Sequence, residues 1–455
     1  MQKKNIISKP RILFPNGKID LNKWAVIACD QFTSPNENYW QKVEKYVEGS
    51  PSTLNIIFPE FYLTDKENID NRINKIQQTM EEYVNSGILV DLLKEDRFIY
   101  TRRTLSNRKI RQGLVVALDL EAYSYKKGEK LPIRPTEGIV EERLPIRMKI
   151  RKGAPLEFPH ILMLIDDPER FLIEPLGKDL SSHQKLYDFD LMMGGGHAEG
   201  YAVTLEEQEN NIFDVINKLS DDAAFTRKHD LTETAPAIAI AVGDGNHSLA
   251  SAKAVWEETK SQLISENKSW EEHPARYAMA EIINMHDEAL EFEPIHRVLF
   301  NTGDFNAFIE DMKKYYETLG ATCELKETRM IDGKFPDSPD QGTQTFFLCY
   351  SDGSVQRFSA ISVKPSPHSI TVGTLQMFLD NYLKNHGQVK IDYLHGTESL
   401  LRDSSKPGDI GFFLPPMNKE DLFKTVAKEG VTPRKTFSMG EADTKAYYIM
   451  GRRIV

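Results

Sequence analysis

The sequence predicts a mixed α/β protein of the α+β class. Short apolar runs rich in β-branched residues, which indicate buried strands, alternate with longer amphipathic runs, which indicate helices. No internal repeat or low-complexity tract interrupts this alternation. The chain has 455 residues, more than a single core usually supports, so we expect two or three domains.

The first 300 residues carry the clearest of these elements. A buried strand is predicted at "WAVIACD" (24–30). The segment 67–92 is expected to contain a long amphipathic helix, which Gly87 closes. Two strand-like runs, 97–105 and 111–124, flank an arginine-rich turn and therefore indicate a hairpin. Three further elements follow along the chain: the buried strand "HILMLIDD" (160–167), a helix over 206–225, and the strand, turn and helix of "AIAIAVGDGNHSLASAKAVW" (237–256).

A second domain is predicted after residue 300. A helix is expected over 301–320, and the run 343–362 is typical of a β-hairpin whose turn is Asp352-Gly353. Further helix-like and strand-like runs complete an α/β tail. We therefore place the two domains at 1–300 and 301–455.

Composition excludes several classes of protein. No apolar run reaches the roughly 18–20 residues of a membrane helix, and the first residues lack the apolar core of a secretion signal. Three cysteines without CxxC spacing are typical of a reducing compartment, so we expect a cytoplasmic protein. The net charge of -11 makes DNA an improbable partner, since nucleic-acid-binding domains are usually basic.

The turn at 243–248, "GDGNHS", is the first candidate site. Gly243 and Gly245 permit positive φ angles and a close approach of a ligand, and the start of the following helix offers N–H groups and a positive dipole end to an anion. Asp244 could hold Mg²⁺, and His247 could contact a phosphate or carry a proton. Asn246 and Ser248 complete the turn. The alternative is a helix cap with local turn bonds.

A second glycine-rich stretch, "MMGGGHAEGYAV" (192–203), contains His197. Three consecutive glycines indicate a tight turn or a close ligand approach, and His197 follows them directly. The alternative is a β-hairpin turn with a surface histidine.

A third group of residues consists of arginines near carboxylates and of two short basic elements. The run 131–153 contains Glu137, a candidate general base, and Arg147, whose guanidinium suits phosphate recognition. Arg297 lies in "EPIHRVLF", and Arg434 and Lys435 lie in "VTPRKTFSMG". The alternative for all of them is a solvated surface with ordinary ion pairs.

Known motifs narrow the choice of chemistry. The glycine turns match neither the GxxxxGK[ST] phosphate loop nor the GxGxxG dinucleotide fingerprint. The histidines show no HExxH or facial-triad spacing, so no transition-metal centre is indicated.

Four short motifs, taken in order, resemble a bacterial and archaeal family known as domain of unknown function 1015. The matching stretches are Pro135-Thr136-Glu137, Gly243 to Ser248, Pro294-Ile295-His296-Arg297 and Pro433-Arg434-Lys435-Thr436. The turn is also similar to one in ParB/sulfiredoxin-like folds, which include enzymes that phosphorylate free serine. The resemblance implies a ParB/sulfiredoxin-like core with N-terminal and C-terminal α/β additions.

The same resemblance implies roles for individual residues. Asp244 and His247 would contact phosphate or Mg²⁺, and Glu137 would be the catalytic base. This chain departs from the family pattern at Asn246 and Ser248, where relatives carry histidine and arginine, and Thr136 stands in place of another histidine. The candidates to supply the missing cation are Arg147, Arg297, Arg434 and Lys435.

These observations lead to one functional hypothesis and two alternatives. The hypothesis is a phosphotransferase that uses Mg²⁺ and a nucleotide, ATP or ADP, and acts on a small metabolite with a hydroxyl group. One alternative is a metal-dependent hydrolase or nuclease with Asp244, His247 and His197 as ligands. The other is a protein that binds a nucleotide without catalysis, for a regulatory purpose.

Overall fold

The computed structural model describes residues 5–29, 38–64, 67–158, 160–330 and 342–455. The predicted α+β class is confirmed, because helices alternate with strands that are mostly antiparallel. Among these residues no helix has both the length and the apolar character that crossing a membrane requires.

The helices of the described residues follow in chain order. They are α1 (Leu21–Trp24), α2 (Tyr39–Val47), α3 (Ile69–Asn85), α4 (Leu144–Arg151), α5 (Glu206–Leu219), α6 (Asp222–Lys228), α7 (Asn246–Ser265), α8 (Phe305–Thr318), α9 (Thr371–Asn385), α10 (Thr397–Asp403) and α11 (Asp421–Glu429).

The strands of the described residues are numbered in the same way. They are β1 (Ile7–Ser8), β2 (Phe14–Pro15), β3 (Val26–Ile27), β4 (Leu89–Val90), β5 (Ile99–Thr104), β6 (Ile110–Asp119), β7 (Ile133–Pro135), β8 (Leu156–Glu157), β9 (Leu162–Ile165), β10 (Gln184–Asp190), β11 (His197–Ala202), β12 (Ile240–Asp244), β13 (Tyr277–Asn284), β14 (Phe292–Phe300), β15 (Thr322–Thr328), β16 (Gln344–Ser351), β17 (Gln356–Lys364), β18 (Lys390–His395), β19 (Ile410–Phe413), β20 (Phe437–Met439), β21 (Tyr447–Tyr448) and β22 (Arg452–Arg453).

The chain forms two compact units, 1–291 with 439–455 and 292–438. The first unit is therefore discontinuous in sequence, since its last residues follow the whole second unit. We call residues 439–455 the C-terminal tail. The domain boundary at residue 300 stays a prediction of the sequence.

The first unit is built on a large sheet with the strand order β10-β11-β5-β6-β13-β9-β12-β7, and β1 pairs with β6. Its strands are apolar over long runs because both faces of the sheet are covered. One face packs against α7 through Leu249 and Trp256, and the other packs against the N-terminal segments and the C-terminal tail. The positions of β9, β12 and β7 in this order determine which residues meet at the "GDGNHS" turn.

The second unit contains a sheet with the order β15-β17-β16-β19-β14-β18, against which α8 and α9 pack. The predicted hairpin is present as β16 and β17, with Gly353 at a φ of +91° in the connecting turn. Asp352 stabilises this turn by accepting the N–H groups of Ser354 and Val355 at 2.9 and 3.0 Å.

Local sequence chemistry explains where individual helices begin and end. In α3 the buried residues Ile73, Ile76, Met80 and Tyr83 recur at helical spacing, and Gly87 follows the helix with a φ of +72°. The single helix expected over 206–225 is two helices, α5 and α6. The side chain of Asp221 caps α6 by accepting the N–H of Ala224 at 2.7 Å, which ends one helix and begins the next.

Candidate functional site

The polar residues after two neighbouring strands lie side by side. Strands β7 and β12 are parallel, with Pro135 opposite Val242, so the residues that follow each strand emerge at the same edge. Thr136 Oγ1 donates a hydrogen bond of 2.5 Å to the carbonyl of Val242. The N–H of Val140 donates to His247 Nε2 at 3.1 Å. The structure thus brings the segment of Glu137 next to the "GDGNHS" turn.

Close contacts leave no room for a side chain at either glycine of the turn. Gly245 has a φ of +87°, and a Cβ atom there would lie 3.2 Å from the Cα of Ile161. A Cβ atom at Gly243 would collide with the sulfur of Met439 in the C-terminal tail. The turn therefore packs tightly against β9 on one side and the tail on the other, and larger residues are excluded at both positions.

Asp244, the last residue of β12, forms an ion pair with a lysine that the sequence analysis did not select. Its Oδ2 lies 3.2 Å from Lys445 Nζ, and its Oδ1 accepts the N–H of Gly245 at 2.8 Å. Lys445 is only 5% exposed and also donates to the carbonyl of Met439 at 3.2 Å. Burial by itself would raise the pKa of Asp244, but Lys445 and, more weakly, His160 hold this pKa below its usual value. The carboxylate is therefore ionised at neutral pH and holds an ammonium group beside the turn.

Asn246 begins helix α7 and has an unmet hydrogen-bonding group. The residue is 8% exposed, and its buried Oδ1 accepts no hydrogen bond from any residue that the structure describes. Helix α7 also lacks a side-chain cap and has no acidic residue in its first turn. Buried polar atoms are nearly always satisfied, so this amide is explained most simply by a ligand or an ordered water. The alternative of an ordinary capped turn does not account for Asn246.

The hydrogen bond to His247 determines the tautomer of its ring. A backbone N–H can only donate, so Nε2 accepts from Val140, and in the neutral ring the proton is on Nδ1. The carbonyl of His247 accepts from Ser251 Oγ at 2.7 Å within the helix. His247 is therefore held in one orientation by the segment that also carries Glu137.

Ser248 contacts a second histidine that the sequence analysis did not select. Ser248 Oγ lies 3.0 Å from His160 Nε2, and the ring of Tyr448 packs edge-on against His160 with centroids 5.2 Å apart. His160 precedes β9, which pairs antiparallel with β12 so that Leu162 faces Asp244. Only this antiparallel pairing places His160 at the turn, and the local sequence pattern contains no signal for it.

His197 lies away from this group. It begins β11, which is separated from β12 by four intervening strands, a span of about 24 Å at about 4.8 Å per strand. Its ring nitrogens contact Asp188 Oδ1 at 2.8 Å and Asp190 Oδ1 at 2.7 Å. The alternative interpretation describes this stretch correctly, since β10 and β11 form a β-hairpin whose turn contains the glycines. Two carboxylates around the ring disfavour an anionic ligand, so we leave His197 out of the site.

Arg147 belongs to helix α4 and forms an ordinary ion pair. Its guanidinium donates to Glu60 Oε2 at 2.6 Å and to the carbonyl of Arg143 at 3.1 Å. Neither of these bonds involves the turn. The interpretation as a structural ion pair therefore accounts for the bond to Glu60, and the other bond is made to the backbone near the start of the same helix.

Arg297, Arg434 and Lys435 lie in the second unit and contact one another. The fully buried Arg297 donates to the carbonyls of Arg434 at 2.9 Å and Lys435 at 2.8 Å. The side chain of Arg434 pairs with Asp380 at 2.5 Å. The Arg297 side chain thus holds the loop around residue 434 in place by binding the backbone carbonyls of that loop, which is a structural role.

No group of three or more histidine, cysteine, aspartate or glutamate side chains among the described residues is arranged to hold a metal ion. The oxygen atoms of Asp244 and Asn246 are the groups at the turn that suit Mg²⁺, which usually takes one or two protein carboxylates and completes its shell with phosphates and water.

Comparison with solved structures finds similar proteins at low identity. A conserved hypothetical protein from Pyrococcus furiosus is 13% identical with a TM-score of 0.34, and the match covers 74% of this chain and 94% of the other. A variant of free serine kinase in complex with AMP is 12% identical with a TM-score of 0.36, covering 74% and 91%. SbnI from Staphylococcus aureus is 9% identical with a TM-score of 0.33, covering 72% and 82%.

Comparison by sequence identifies the family. None of the curated proteins matches this chain significantly. The model of a family described as "Protein of unknown function (DUF1015)" matches residues 13–382, which is most of the chain. This match confirms the resemblance and covers three of the four short motifs, while the motif at 433–436 lies beyond the matched residues. The chain therefore belongs to the DUF1015 family.

Proposed function

We propose that the "GDGNHS" turn binds the phosphate groups of a nucleotide, ATP or ADP. We further propose that the protein transfers a phosphoryl group from it to a small metabolite with a hydroxyl group. The observation that carries the proposal is the start of α7. This helix start has no side-chain cap, and the buried Lys445 lies beside the turn that precedes it. The buried Oδ1 of Asn246, the first residue of the helix, has no hydrogen-bond partner among the described residues. A helix start with an added ammonium group favours an anion, and phosphate is the anion that such sites commonly bind.

Lys445 takes the place of the cation that the turn lacks at Ser248. The four residues suggested from the sequence, Arg147, Arg297, Arg434 and Lys435, are not needed for this purpose. The ammonium group is held between Asp244 and the carbonyl of Met439, so it needs little reorganisation to meet a phosphate. The backbone N–H groups at the start of α7 would supply neutral donors.

The nucleotide would bring Mg²⁺ to the oxygen atoms of Asp244 and Asn246. Bound there, the ion would neutralise charge on the transferred group, which is its usual contribution to phosphoryl transfer. Asn246 Oδ1 would then acquire the partner that it lacks among the described residues.

Glu137 is the proposed catalytic base. It follows β7 at the same edge of the sheet as the turn, and the N–H of Val140, three residues later, contacts His247. A carboxylate in this position would accept the proton of the metabolite hydroxyl as oxygen attacks the terminal phosphorus, and the nucleotide would leave with one phosphate fewer.

Nucleotide binding is tested first, by calorimetric titration of the full chain with ATP, ADP and AMP, with and without Mg²⁺. We expect saturable binding, and a loss of about tenfold or more in Lys445→Met, since a bond between a charged donor and a phosphate is worth about 1.5–3 kcal/mol. Lys185→Met is the matched control, because Lys185 pairs with Asp188 beside the other glycine turn. Absence of binding to the wild-type protein, or equal affinity of Lys445→Met, would refute the proposal.

Transfer is tested separately, with γ-labelled ATP or β-labelled ADP and a panel of hydroxyl-bearing metabolites. We expect Glu137→Gln to keep the nucleotide affinity and to lose transfer by about 10²–10⁴-fold, the usual contribution of a general base. A variant that transfers at the wild-type rate would exclude Glu137 as the base.

A second candidate function is binding of a nucleotide without catalysis. Ser248 favours it, because the family pattern has an arginine there and this chain bonds Ser248 to His160 instead. Saturable binding together with no transfer to any metabolite would select this function. The hydrolase or nuclease alternative is not proposed, because His197 lies far from Asp244 and His247 across the sheet.

A further inference from the structure

A small cavity lies on the face of the large sheet that the C-terminal tail covers. Its volume is about 60 Å³, room for a few water molecules and far less than the roughly 300 Å³ or more of a typical nucleotide or drug-sized ligand pocket. Polar residues on its wall include Thr101, Arg103, Arg111 and Glu281, and Tyr447 of the tail lies beside them. His160, which contacts Ser248 of the turn, also lines the cavity, but none of the four sheet residues takes part in the proposed phosphate site.

The two arginines are direct neighbours on adjacent strands. Arg103 of β5 and Arg111 of β6 are paired in register, so their side chains leave the same face of the sheet. They are only 7% and 4% exposed. Like charges placed opposite each other are unfavourable, and burial adds to this cost. Burial and, next in weight, the proximity of Arg111 lower the pKa of the Arg103 guanidinium.

Both arginines already donate to backbone carbonyls through terminal nitrogens. Arg103 donates to the backbone carbonyls of Gly195 and Asp443 at 3.0 and 2.8 Å and also bonds the carbonyl of Lys445. Arg111 donates to the carbonyl of Thr444 at 2.8 Å. In contrast, the buried Nε atom of each arginine has no hydrogen-bond partner among the described residues. Two buried N–H donors that belong to residues lining the cavity therefore lack acceptors among the described residues.

The negative charge facing the pair is smaller than its positive charge. Glu281 lines the same cavity and accepts a hydrogen bond from Thr101 Oγ1 at 2.7 Å. Gly113 leaves room for it, because a Cβ atom there would collide with the Glu281 carboxylate. The carboxylate of Asp443, the other acidic group near Arg103, belongs to a residue that is not fully buried. The wall of the cavity thus contains two buried guanidinium groups and one partly buried carboxylate.

We propose that this cavity binds a single-atom inorganic anion, chloride under ordinary conditions, which accepts hydrogen bonds from Arg103 Nε and Arg111 Nε. A halide is close to water in size and therefore fits the volume. A phosphate or sulfate would need more donors than the two that remain. A water molecule would satisfy the same N–H groups but would leave the second guanidinium charge without compensation.

Thermal unfolding at constant ionic strength tests the proposal. The full chain is unfolded in sodium chloride, in sodium bromide and in sodium gluconate, whose anion is too large for the cavity. We expect the midpoint to rise with chloride or bromide concentration and not with gluconate, because an ion that binds only the folded state stabilises it by mass action. In crystals grown with bromide, the anomalous peak is expected between Arg103 and Arg111.

Two variants and a control identify the site. Glu281→Gln keeps an acceptor for Thr101 and removes the competing charge, so chloride affinity should increase about tenfold. Arg111→Gln should abolish the chloride dependence. Lys152→Gln, which changes an exposed lysine paired with Glu258, should leave the dependence unchanged.

The proposal is overturned by any of three results. They are equal midpoints in chloride and gluconate, a bromide peak at Lys445 instead of the arginine pair, and an unchanged chloride affinity in Glu281→Gln. The last measurement keeps the proposal testable if Arg111→Gln does not fold. Equal midpoints and an unchanged affinity in Glu281→Gln do not bear on nucleotide binding, which is measured with Lys445→Met. A bromide peak at Lys445 would overturn the chloride proposal and leave the proposed phosphate site standing.

Discussion

Two glycine-rich turns, each followed by a histidine, have opposite surroundings in the same unit. The glycines before His197 form the turn of a hairpin, and both ring nitrogens of His197 contact carboxylates, those of Asp188 and Asp190. Gly245 opens helix α7, and the ring of His247 accepts a backbone N–H while Lys445 lies beside the turn. One histidine is thus flanked by two carboxylates, and the other stands at a helix start beside the ion pair of Lys445 with Asp244.

The difference shows that a glycine run does not identify a site by itself. In the hairpin, the glycines make room for the protein's own atoms, because a Cβ atom at Gly195 would collide with Tyr447 and one at Gly196 would collide with the carbonyl of Thr104. In the "GDGNHS" turn, Gly243 and Gly245 likewise lie close to Met439 and Ile161, but the chain then enters a helix start that no side chain caps. A glycine turn that only allows close packing is therefore distinguished from one that suits ligand binding by two features. These are the element that follows the turn and the charged groups around it.

The largest expected effect concerns the stability of the hairpin. Gly196→Ala should lower the free energy of unfolding by about 3 kcal/mol, because a φ of +87° and a collision with backbone at Thr104 act together. Gly194→Ala is the matched control. Gly194 has a φ of +74° but open space around its Cβ position, so about 1 kcal/mol is expected. Urea unfolding measures both variants, and equal losses would show that contacts play no part.

Local structure at the "GDGNHS" turn was predictable, because its signals are short in range. The strand that ends at Asp244 and the helix that begins at Asn246 follow from an apolar β-branched run and an alanine-rich pattern separated by glycines. The hairpin of β5 and β6 was predictable for the same reason. The proximity of Glu137 to the turn came from the family resemblance, and the parallel pairing of β7 with β12 accounts for it.

The cationic side of the site could not be predicted. Lys445 follows Asp244 by about 200 residues, and it reaches the turn only because the chain forms the second unit and then returns to the first. Nothing in the sequence around Lys445 distinguishes it from an exposed lysine. His160 depends likewise on the antiparallel pairing of β9 with β12, which hydrophobic periodicity does not encode. The sequence analysis suggests Arg147, Arg297, Arg434 and Lys435 as the missing cation, and this suggestion rests on sequence position alone.

A smaller effect is expected at Asn246, where stability and binding should separate. Asn246→Ala removes a buried oxygen that has no partner among the described residues, so the free energy of unfolding should change by no more than about 0.5 kcal/mol. Nucleotide affinity should fall about tenfold, equivalent to about 1.4 kcal/mol, if this oxygen meets the ligand or its cation. Calorimetric titration and urea unfolding of the same variant measure both quantities. A large loss of stability with unchanged affinity would assign Asn246 a structural role.

The smallest expected effect is the titration of His197. Partial burial lowers the pKa of this ring, but the hydrogen bonds to Asp190 and Asp188 outweigh it and raise the pKa above its usual value. The folded-state pKa is therefore above the unfolded one. The resulting stability is fully present below about pH 6.5 and is lost as the pH rises through the folded-state pKa. Because the His197 side chain is 34% exposed, solvent screening keeps this contribution small.

Nuclear magnetic resonance of the histidine side chains measures this pKa directly. His273 provides an internal reference of opposite sign, since burial lowers its pKa. His197 should therefore titrate above His273 in the same sample, and Asp190→Asn should move only His197 downward. If His197 instead titrates at or below its ordinary value, the two carboxylates do not hold a charged ring. The contrast in charge between the two glycine turns would then be smaller than the geometry indicates.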